Sequence, residues 1–326
     1  MGAGRALNER WRLMLSHLPA VPRVTLGRSG IVTTKLGLGT ANWIARQPDD
    51  VFRGIIREAL RLGIRHFDTA PSYDQPRFAR LLAEADPPDD VVIVTKIGRL
   101  KRRDGPGVTI NFAPDLARQT VDENLRTLGL ERLPIVLLHD CRPEHMARIL
   151  ESGGTLDALR ELQGQGLVGA IGVAAGNGEA VAQAAESNAL DIIQSYHHYT
   201  LLSREATARI FPACRRHDLG MINLSPFAGN ILATGATPGA RYSYRDPAPD
   251  VLDNVRRMEL VCANLGVPLP IAALTYSLAC PDVDVSVIGP VTIDELRADV
   301  AALDITLSDA ELATIASKVD HRNWWH

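Results

Sequence analysis

Gly63-Ile-Arg-His-Phe-Asp68-Thr-Ala-Pro-Ser-Tyr73 is an apolar run that stops at an aspartate, followed by a turn-forming Thr-Ala-Pro-Ser and a tyrosine. The pattern puts a carboxylate and a phenol where a strand breaks into a loop. In a parallel α/β protein the loops at the carboxyl ends of strands carry the chemistry, because the packed scaffold beneath holds them in place. Two further runs end in the same way, Val91-Val-Ile-Val-Thr-Lys96 on an ammonium and Ile135-Val-Leu-Leu-His139-Asp140 on an imidazole. Asp68, Tyr73, Lys96 and His139 at the ends of successive strands of one barrel all point into one mouth.

Outward from this stretch, strand-like runs alternate with stretches of helical period, the signature of repeated βα units and a parallel sheet. Residues 24–39 read as a short hairpin turning at Arg28-Ser29-Gly30, followed by a strand. Further strands are expected near 64–68, from 91, and at 133–139, 168–173, 191–195, 220–224 and 283–288. Helices are expected near 49–61, 76–85, 114–128, 155–165, 179–187, 203–217, 270–279 and 293–302, with an extra helix at 250–265 and a final one at 308–319. Asp49 or Asp50 is the expected cap of the first helix, and Gly166 closes the fourth. Eight strands and eight helices predict a (β/α)8 TIM barrel, one domain over 23–326, preceded by an arm or extra helix at 1–22. The longest irregular stretches, 99–113 and 228–249, follow strands and so belong to the mouth, where long loops are usually functional.

The length of 326 residues with 46% apolar content suits one large core. A net charge of −3 gives no basic surface for nucleic acid, and no long uncharged apolar run argues for a membrane span. Cys141, Cys214, Cys262 and Cys280 lack any paired ligand spacing, which disfavours zinc and a disulfide framework and predicts a reducing, cytoplasmic setting. The first 22 residues lack the apolar core and cleavage site of a signal peptide. His197 and His198 follow a strand without a third ligand at metal spacing, so no metal is expected. Gly2-Ala-Gly4 does not follow a strand, so no dinucleotide fingerprint is present. The partner expected is a small molecule; oligomeric state is not encoded in any motif.

The order Asp68, Tyr73, Lys96, His139, with the Asp-Thr-Ala-Pro-Ser-Tyr context, resembles the aldo-keto reductases, and the resemblance runs over nearly the whole chain. It is closest to the galactose and fucose dehydrogenase-like branch through Tyr199-Thr-Leu-Leu202, Pro212-Ala-Cys214, Pro226-Phe-Ala-Gly-Asn-Ile-Leu232 and Gly266-Val-Pro-Leu-Pro-Ile-Ala-Ala273. The resemblance implies that the hairpin plugs the barrel floor, and that NAD or NADP lies extended across the mouth without a Rossmann motif. It also implies oxidation or reduction of small aldehydes, ketones or sugar hemiacetals.

Reducing a carbonyl by hydride transfer creates an alkoxide that must be protonated as it forms. A phenol is a weak acid at its usual pKa near 10, and an ammonium beside it favours the phenolate. Lys96 is expected to supply that field, Asp68 to hold Lys96, and His139 to donate to the carbonyl oxygen or relay the proton. Tyr73 is then the acid in reduction and the base in oxidation. Taken singly, Asp68 reads equally as a turn cap, Lys96 as a solvated strand end and His139 as a core histidine. Competing functions are a lyase or epimerase reusing the Tyr-Lys pair, or a non-catalytic regulatory barrel.

By the resemblance, Gly39, Thr40, Gln194, Leu224, Ser225, Pro226, Phe227, Gly229 and Ile231 serve the nicotinamide and pyrophosphate. Gly289, Val291, Thr292, Glu295 and Asp299 serve the adenosine end. Trp43 and Arg99 are expected beside the substrate; Arg99, Lys101, Arg102 and Arg103 read first as a solvated charged loop, and second as a cluster that attracts an anionic substrate. Two departures stand out: Asn177 is displaced within Gly172-Val-Ala-Ala-Gly-Asn177, and Leu224 stands where many members stack a tyrosine on the nicotinamide; Gln194 remains to bond the carboxamide. Glu295, where NADP-preferring relatives place Lys or Arg, predicts NAD over NADP, with Arg297 on another helix face.

Overall fold

The computed structural model describes residues 17–41, 48–102 and 106–317. Trp43, Arg103 and most of the N-terminal arm lie outside the described residues. The chain enters through an antiparallel hairpin, β1 (Arg23–Thr25) and β2 (Val32–Thr34), and continues into β3 (Leu36–Gly39), β4 (His66–Asp68) and β5 (Val92–Ile97). A second hairpin, β6 (Arg99–Lys101) and β7 (Val108–Ile110), leaves the mouth, and then β8 (Leu133–His139), β9 (Val168–Ala175), β10 (Ile192–Tyr196), β11 (Gly220–Leu224) and β12 (Val285–Ile288) follow. Strands β3, β4, β5, β8, β9, β10, β11 and β12 close into a barrel in that order, every pair parallel. This is the (β/α)8 barrel expected from the sequence.

Side chains alternate in and out along each strand, and this parity builds the site. On the inner face the floor is apolar, with Val92, Ile135, Ala170, Ile192 and Val285 closed from below by Leu26 of the entering hairpin. The hairpin is tied to the floor by Arg28 N–H donating to the Asp218 carbonyl and by Arg28 guanidinium contacts to the Asn188 and Leu190 carbonyls. Two residues further up the same strands stand Val94, Leu137 and Gln194; two more bring Lys96, His139 and Tyr196 to the rim. On β4 the same parity lifts His66 and then Asp68. Gly37 makes room for that ring, since a Cβ there falls 2.5 Å from His66 Cδ2.

Most helices fall where the hydrophobic period puts them: α1 (Asp49–Arg61), α2 (Gln75–Ala83), α3 (Pro114–Leu128), then α4 (Pro143–Leu150), α5 (Thr155–Gly164) and α6 (Gly178–Glu186). Then come α7 (Ile210–His217), α8 (Ile231–Thr234), α9 (Pro249–Leu265), α10 (Leu269–Leu278), α11 (Ile293–Ala301) and α12 (Asp309–Ala316). Gly166, at φ +82°, takes the left-handed position just past α5.

Four expectations are corrected. Neither Asp49 nor Asp50 is the N-cap of α1. Pro48 occupies that place without a side-chain cap, and Asp49 lies in the first turn, paired with Arg77 and Arg80 of α2. The helix expected over 203–217 begins only at Ile210, after a 3-10 turn at Glu205–Thr207, because Pro212 belongs to a first turn, where its missing N–H has no intrahelical partner. Helix α4 was not foreseen, although Pro143 in the first turn and the buried Met146 and Ile149 at i, i+3 mark it. The two long loops are partly regular, one folded into β6 and β7 and the other carrying α8.

Candidate active site

Asp68 and Lys96 face each other at the barrel top, Lys96 1% and Asp68 3% exposed. Lys96 Nζ donates to both carboxylate oxygens of Asp68 at 2.7 Å and to the Thr69 carbonyl at 3.0 Å. From across the barrel Gln194 Nε2 adds a third bond to Asp68 Oδ2 at 3.0 Å. The ammonium lies over the Tyr73 ring, 5.1 Å from its centroid, a cation–π placement that fixes the ring. Tyr73 is held by a turn in which its N–H donates to the Ala70 carbonyl at 2.9 Å, and its hydroxyl lies 3.2 Å from His139 Nε2. The two rings meet edge to face at 89°. All four residues are thus brought together at the barrel top, Lys96 over the Tyr73 ring and His139 at its hydroxyl.

The electrostatics differ from the expectation in one respect. Burial first, then Asp68, then Tyr244 and Asp140, push the Tyr73 phenol well above its ordinary value, and Arg99 pulls only weakly the other way. The Lys96 charge does not win because burial and the Asp68 carboxylate that holds the ammonium both favour the neutral phenol. Burial lowers the Lys96 pKa against the pull of Asp68. Burial, Lys96 and Arg99 hold His139 well below the usual histidine range, so its ring is neutral. Its Nδ1 is buried with no hydrogen-bond partner. The site holds a neutral phenol against a neutral imidazole.

Sequence reading missed the support beneath Lys96. Asn124 Nδ2 of α3 donates to the Lys96 carbonyl at 3.1 Å, Gln75 Nε2 donates to Asn124 Oδ1 at 2.7 Å, and Thr95 Oγ1 donates to Gln75 Oε1 at 2.8 Å. The available signal was an asparagine on the helix face that Ala117 and Val121 bury. Arg99 reaches the mouth as expected, yet its Nε is 2.8 Å from Asp140 Oδ2 and its Nη1 donates to Ser72 Oγ at 3.2 Å. An arginine so paired attracts an anion less than a free one does. Trp43 lies outside the described residues. Asn177 caps α6, its Oδ1 accepting from Ala180 N–H at 2.9 Å, so it is engaged away from the mouth. His198 is held by Ser195 and the Gly176 carbonyl. Among the described residues, no group of three or more His, Cys, Asp or Glu is placed to hold a metal ion.

The residues assigned to a dinucleotide divide in two. Thr40 and Ile231 are fully buried, and Asp299 is 7% exposed. Thr40 donates from both its N–H and its hydroxyl to the Asp68 carbonyl at 3.0 Å, which makes it a brace for Asp68. Pro226 is also buried. The others form an accessible rim over β3, β11 and β12, on the side of the barrel facing β5 and β8. Gly39, Leu224, Ser225, Phe227 and Gly229 are half-buried there, and Gly289, Val291, Thr292 and Glu295 are exposed. Ser225, Ala228 and Gly229 are left-handed at φ +59°, +52° and +86°, and the Ser225 hydroxyl accepts from Gly229 N–H. Gln194 Oε1, beside Asp68, is a buried acceptor with no partner, which suits the amide N–H of a nicotinamide. Glu295 Oε2 accepts from Val291 N–H at 2.7 Å, and Arg297 Nε is bonded to Glu58 Oε1 at 2.7 Å. The rim and the orphaned acceptor fit an extended nicotinamide dinucleotide.

Comparison with known proteins agrees with this fold. A model of the Aldo/keto reductase family matches residues 35–320. D-threo-aldose 1-dehydrogenase of a Pseudomonas species is 30% identical over 306 residues, covering 85% of this chain and 92% of the relative. NADH-specific methylglyoxal reductase of Escherichia coli is 29% identical over 309 residues, covering 88% and 93%. L-galactose dehydrogenase of Arabidopsis thaliana is 25% identical over 289 residues, covering 85% and 86%. An aldo-keto reductase from Bacillus halodurans, solved in its holo form, shares the fold with a TM-score of 0.76 at 22% identity, covering 93% of this chain and 97% of that one. No helix among the described residues is long and apolar enough by itself to cross a membrane.

Proposed function

Because the chain belongs to the aldo/keto reductase family of NAD(P)-dependent oxidoreductases, within its galactose dehydrogenase-like branch, we propose that Tyr73 is the proton-transferring group acting on a small aldehyde, ketone or sugar hemiacetal. The observation that carries the reading is the 3.2 Å contact of the Tyr73 hydroxyl with a neutral His139, beneath an ammonium that Asp68 holds in place. When bound, the nicotinamide dinucleotide supplies or accepts the hydride. In reduction, the neutral phenol donates its proton to the carbonyl oxygen as negative charge develops there, and Lys96 stabilises the phenolate left behind. In oxidation the same step runs backwards: the Tyr73 oxygen, as the phenolate that Lys96 stabilises, takes the substrate hydroxyl proton, while the neutral His139 ring positions the hydroxyl. Asp68, Gln194 and Thr40 position Lys96 and the strand end; they do not touch the reacting atoms.

The rim residues Gly39, Leu224, Ser225, Phe227, Gly229, Gly289, Val291 and Thr292 are the proposed dinucleotide contacts, with Gln194 Oε1 for the carboxamide. NAD is favoured over NADP because Glu295 stands at the adenosine end and Arg297 is bound to Glu58. Four free, buried cysteines support a cytoplasmic setting. The test is a dinucleotide titration followed by steady-state kinetics on a panel of aldehydes and sugars, in the wild type and in Tyr73→Phe. Dinucleotide binding in both, with turnover only in the wild type, is the expected result. No binding of either dinucleotide at millimolar concentration, or full turnover by Tyr73→Phe, overturns the reading.

A further inference from the structure

Tyr244 is an aromatic side chain left 64% exposed at the mouth. It lies on the loop between α8 and α9 and stacks on Tyr196, the topmost inward residue of β10, with ring centroids 5.9 Å apart and planes 20° from parallel. The turn that presents it is built rigidly. Tyr242 and Arg245 exchange backbone hydrogen bonds of 3.1 and 3.2 Å across it, and Ser243 N–H donates to the Ala228 carbonyl at 3.3 Å. Tyr242 is itself buried and meets the His197 ring edge-on at 5.9 Å. Ser243 is left-handed at φ +60°, a conformation that costs a non-glycine residue about 1 kcal/mol or more and persists only where its surroundings enforce it. Gly229 admits the turn, since a Cβ there falls 2.4 Å from the Arg241 carbonyl oxygen. Tyr244 is also close enough to act electrostatically on the Tyr73 phenol.

At the same mouth, on the loops that follow β5 and β8, is the Arg99–Asp140 ion pair. Asp140 follows His139 directly and is left-handed at φ +56°, which turns it out of the strand direction. Its side chain is 41% and that of Arg99 28% exposed, so each keeps polar atoms toward solvent. An aromatic ring and a joined acceptor and donor at one mouth match a ligand with a flat apolar C–H face and hydroxyls around its edge. A three-carbon dicarbonyl offers neither.

Resting on the oxidoreductase reading above, we infer that Tyr244, Asp140 and Arg99 form a specificity wall for a cyclic aldose. Tyr244 packs against the C–H face of the sugar ring, Asp140 accepts from and Arg99 donates to its hydroxyls, and the anomeric carbon is turned to Tyr73. In oxidation, the C1–H bond breaks with its electron pair going to the oxidised dinucleotide. The C1 hydroxyl proton passes to the Tyr73 phenolate oxygen, and the C1=O bond of the lactone forms.

The test compares kcat/KM for galactose and fucose with that for methylglyoxal in wild type, Tyr244→Ala, Tyr244→Phe and Asp140→Asn, with NAD(H) affinity measured in each. The aldose-to-methylglyoxal ratio is expected to fall at least tenfold in Tyr244→Ala and in Asp140→Asn, chiefly through KM for the aldose, and to be restored in Tyr244→Phe. An unchanged ratio overturns the inference, as does a loss that follows NAD(H) affinity instead, because Tyr244 then serves the dinucleotide. If the wild type turned over none of the probes, the oxidoreductase reading would fail by itself. Calorimetric titration with galactose in the presence of NAD then decides the wall: binding lost in Tyr244→Ala supports it, and no binding to the wild type overturns it.

Discussion

Gln194 donates its amide to Asp68 Oδ2 at 3.0 Å from the strand diametrically opposite, so the two residues brace the barrel top across its full width. The resemblance predicted Gln194 as a nicotinamide contact. One of its amide N–H groups goes to Asp68, and its Oε1 is a buried acceptor left for a ligand. A hydrogen bond to a buried charged acceptor is worth roughly 1.5–3 kcal/mol. Gln194→Leu should therefore lower kcat by about tenfold or more, through looser placement of Lys96, and weaken dinucleotide binding as Oε1 is lost. A variant with the wild-type kcat would show that the brace is idle.

Tyr73→Phe should abolish turnover with dinucleotide affinity unchanged within a few-fold, because the phenol acts on the proton alone. Lys96→Met should be nearly inactive as well, for a different reason: it strands the Asp68 carboxylate in a buried site, where removing one partner of an ion pair costs about 3–5 kcal/mol. A thermal melt of Lys96→Met should show that loss, whereas the melt of Tyr73→Phe should not.

The pH dependence of reduction follows from the Tyr73 shift. A phenol raised above its ordinary value stays protonated through neutral and mildly alkaline pH, so reduction should decline only above the usual tyrosine range. Removing the ammonium in Lys96→Met disfavours the phenolate further and should move that alkaline limb to higher pH in the residual activity. Measuring kcat/KM against pH in both proteins checks the sign; a limb that moved to lower pH would contradict it.

Asp299 allows a stability prediction. Burial, and secondarily Glu295, hold its pKa well above the ordinary carboxylate range. A carboxyl with a raised folded-state pKa gives its full stabilisation below the unfolded pKa and loses it as pH rises through the folded value, so at neutral pH Asp299 costs stability. Asp299→Asn cannot ionise. Its melting temperature should exceed the wild type's by a few degrees at neutral pH, at roughly 2 °C per kcal/mol for a chain of this size, and the gap should close toward pH 4. A gap that widened on acidification would reverse the sign and reject the argument.

The barrel and the tetrad were legible because both follow from local pattern. Strand parity alone predicts that Val92, Val94 and Lys96 share one face, and that Ile135, Leu137 and His139 share another. What was not legible needed distance across the fold. Nothing near Gln194 in the chain points to Asp68, and nothing near Asn124 points to the Lys96 carbonyl. Thr40 was assigned to the dinucleotide by its place after β3, and only the fold shows both its donors turned to Asp68. The raised Tyr73 pKa was not legible because the sequence does not reveal how deeply the phenol is buried, or that Asp68 lies close enough to oppose the ammonium it binds.

Cofactor preference is the last prediction, and it turns on two carboxylates. Glu295 Oε2 accepts from Val291 N–H at 2.7 Å, which fixes a negative charge at the adenosine end of the rim. Arg297, the nearby cation suited to a 2′-phosphate, is bonded at its Nε to Glu58, which also takes Arg61 with both oxygens. Arg61 and Arg297 hold the Glu58 pKa down at about 2, so Glu58 stays ionised and keeps Arg297 at any working pH. Wild-type kcat/KM should favour NAD. Glu295→Gln keeps an acceptor for Val291 N–H and removes the charge, so it should move the ratio toward NADP without a loss in melting temperature. Glu295→Arg should move it further and lose the acceptor for Val291 N–H, a hydrogen bond worth about 1 kcal/mol. Glu58→Gln removes the charge that holds Arg297, and should release it and raise the NADP share several-fold. A wild type that preferred NADP would sink this account, and would mean that Arg297 leaves Glu58 when the phosphate arrives.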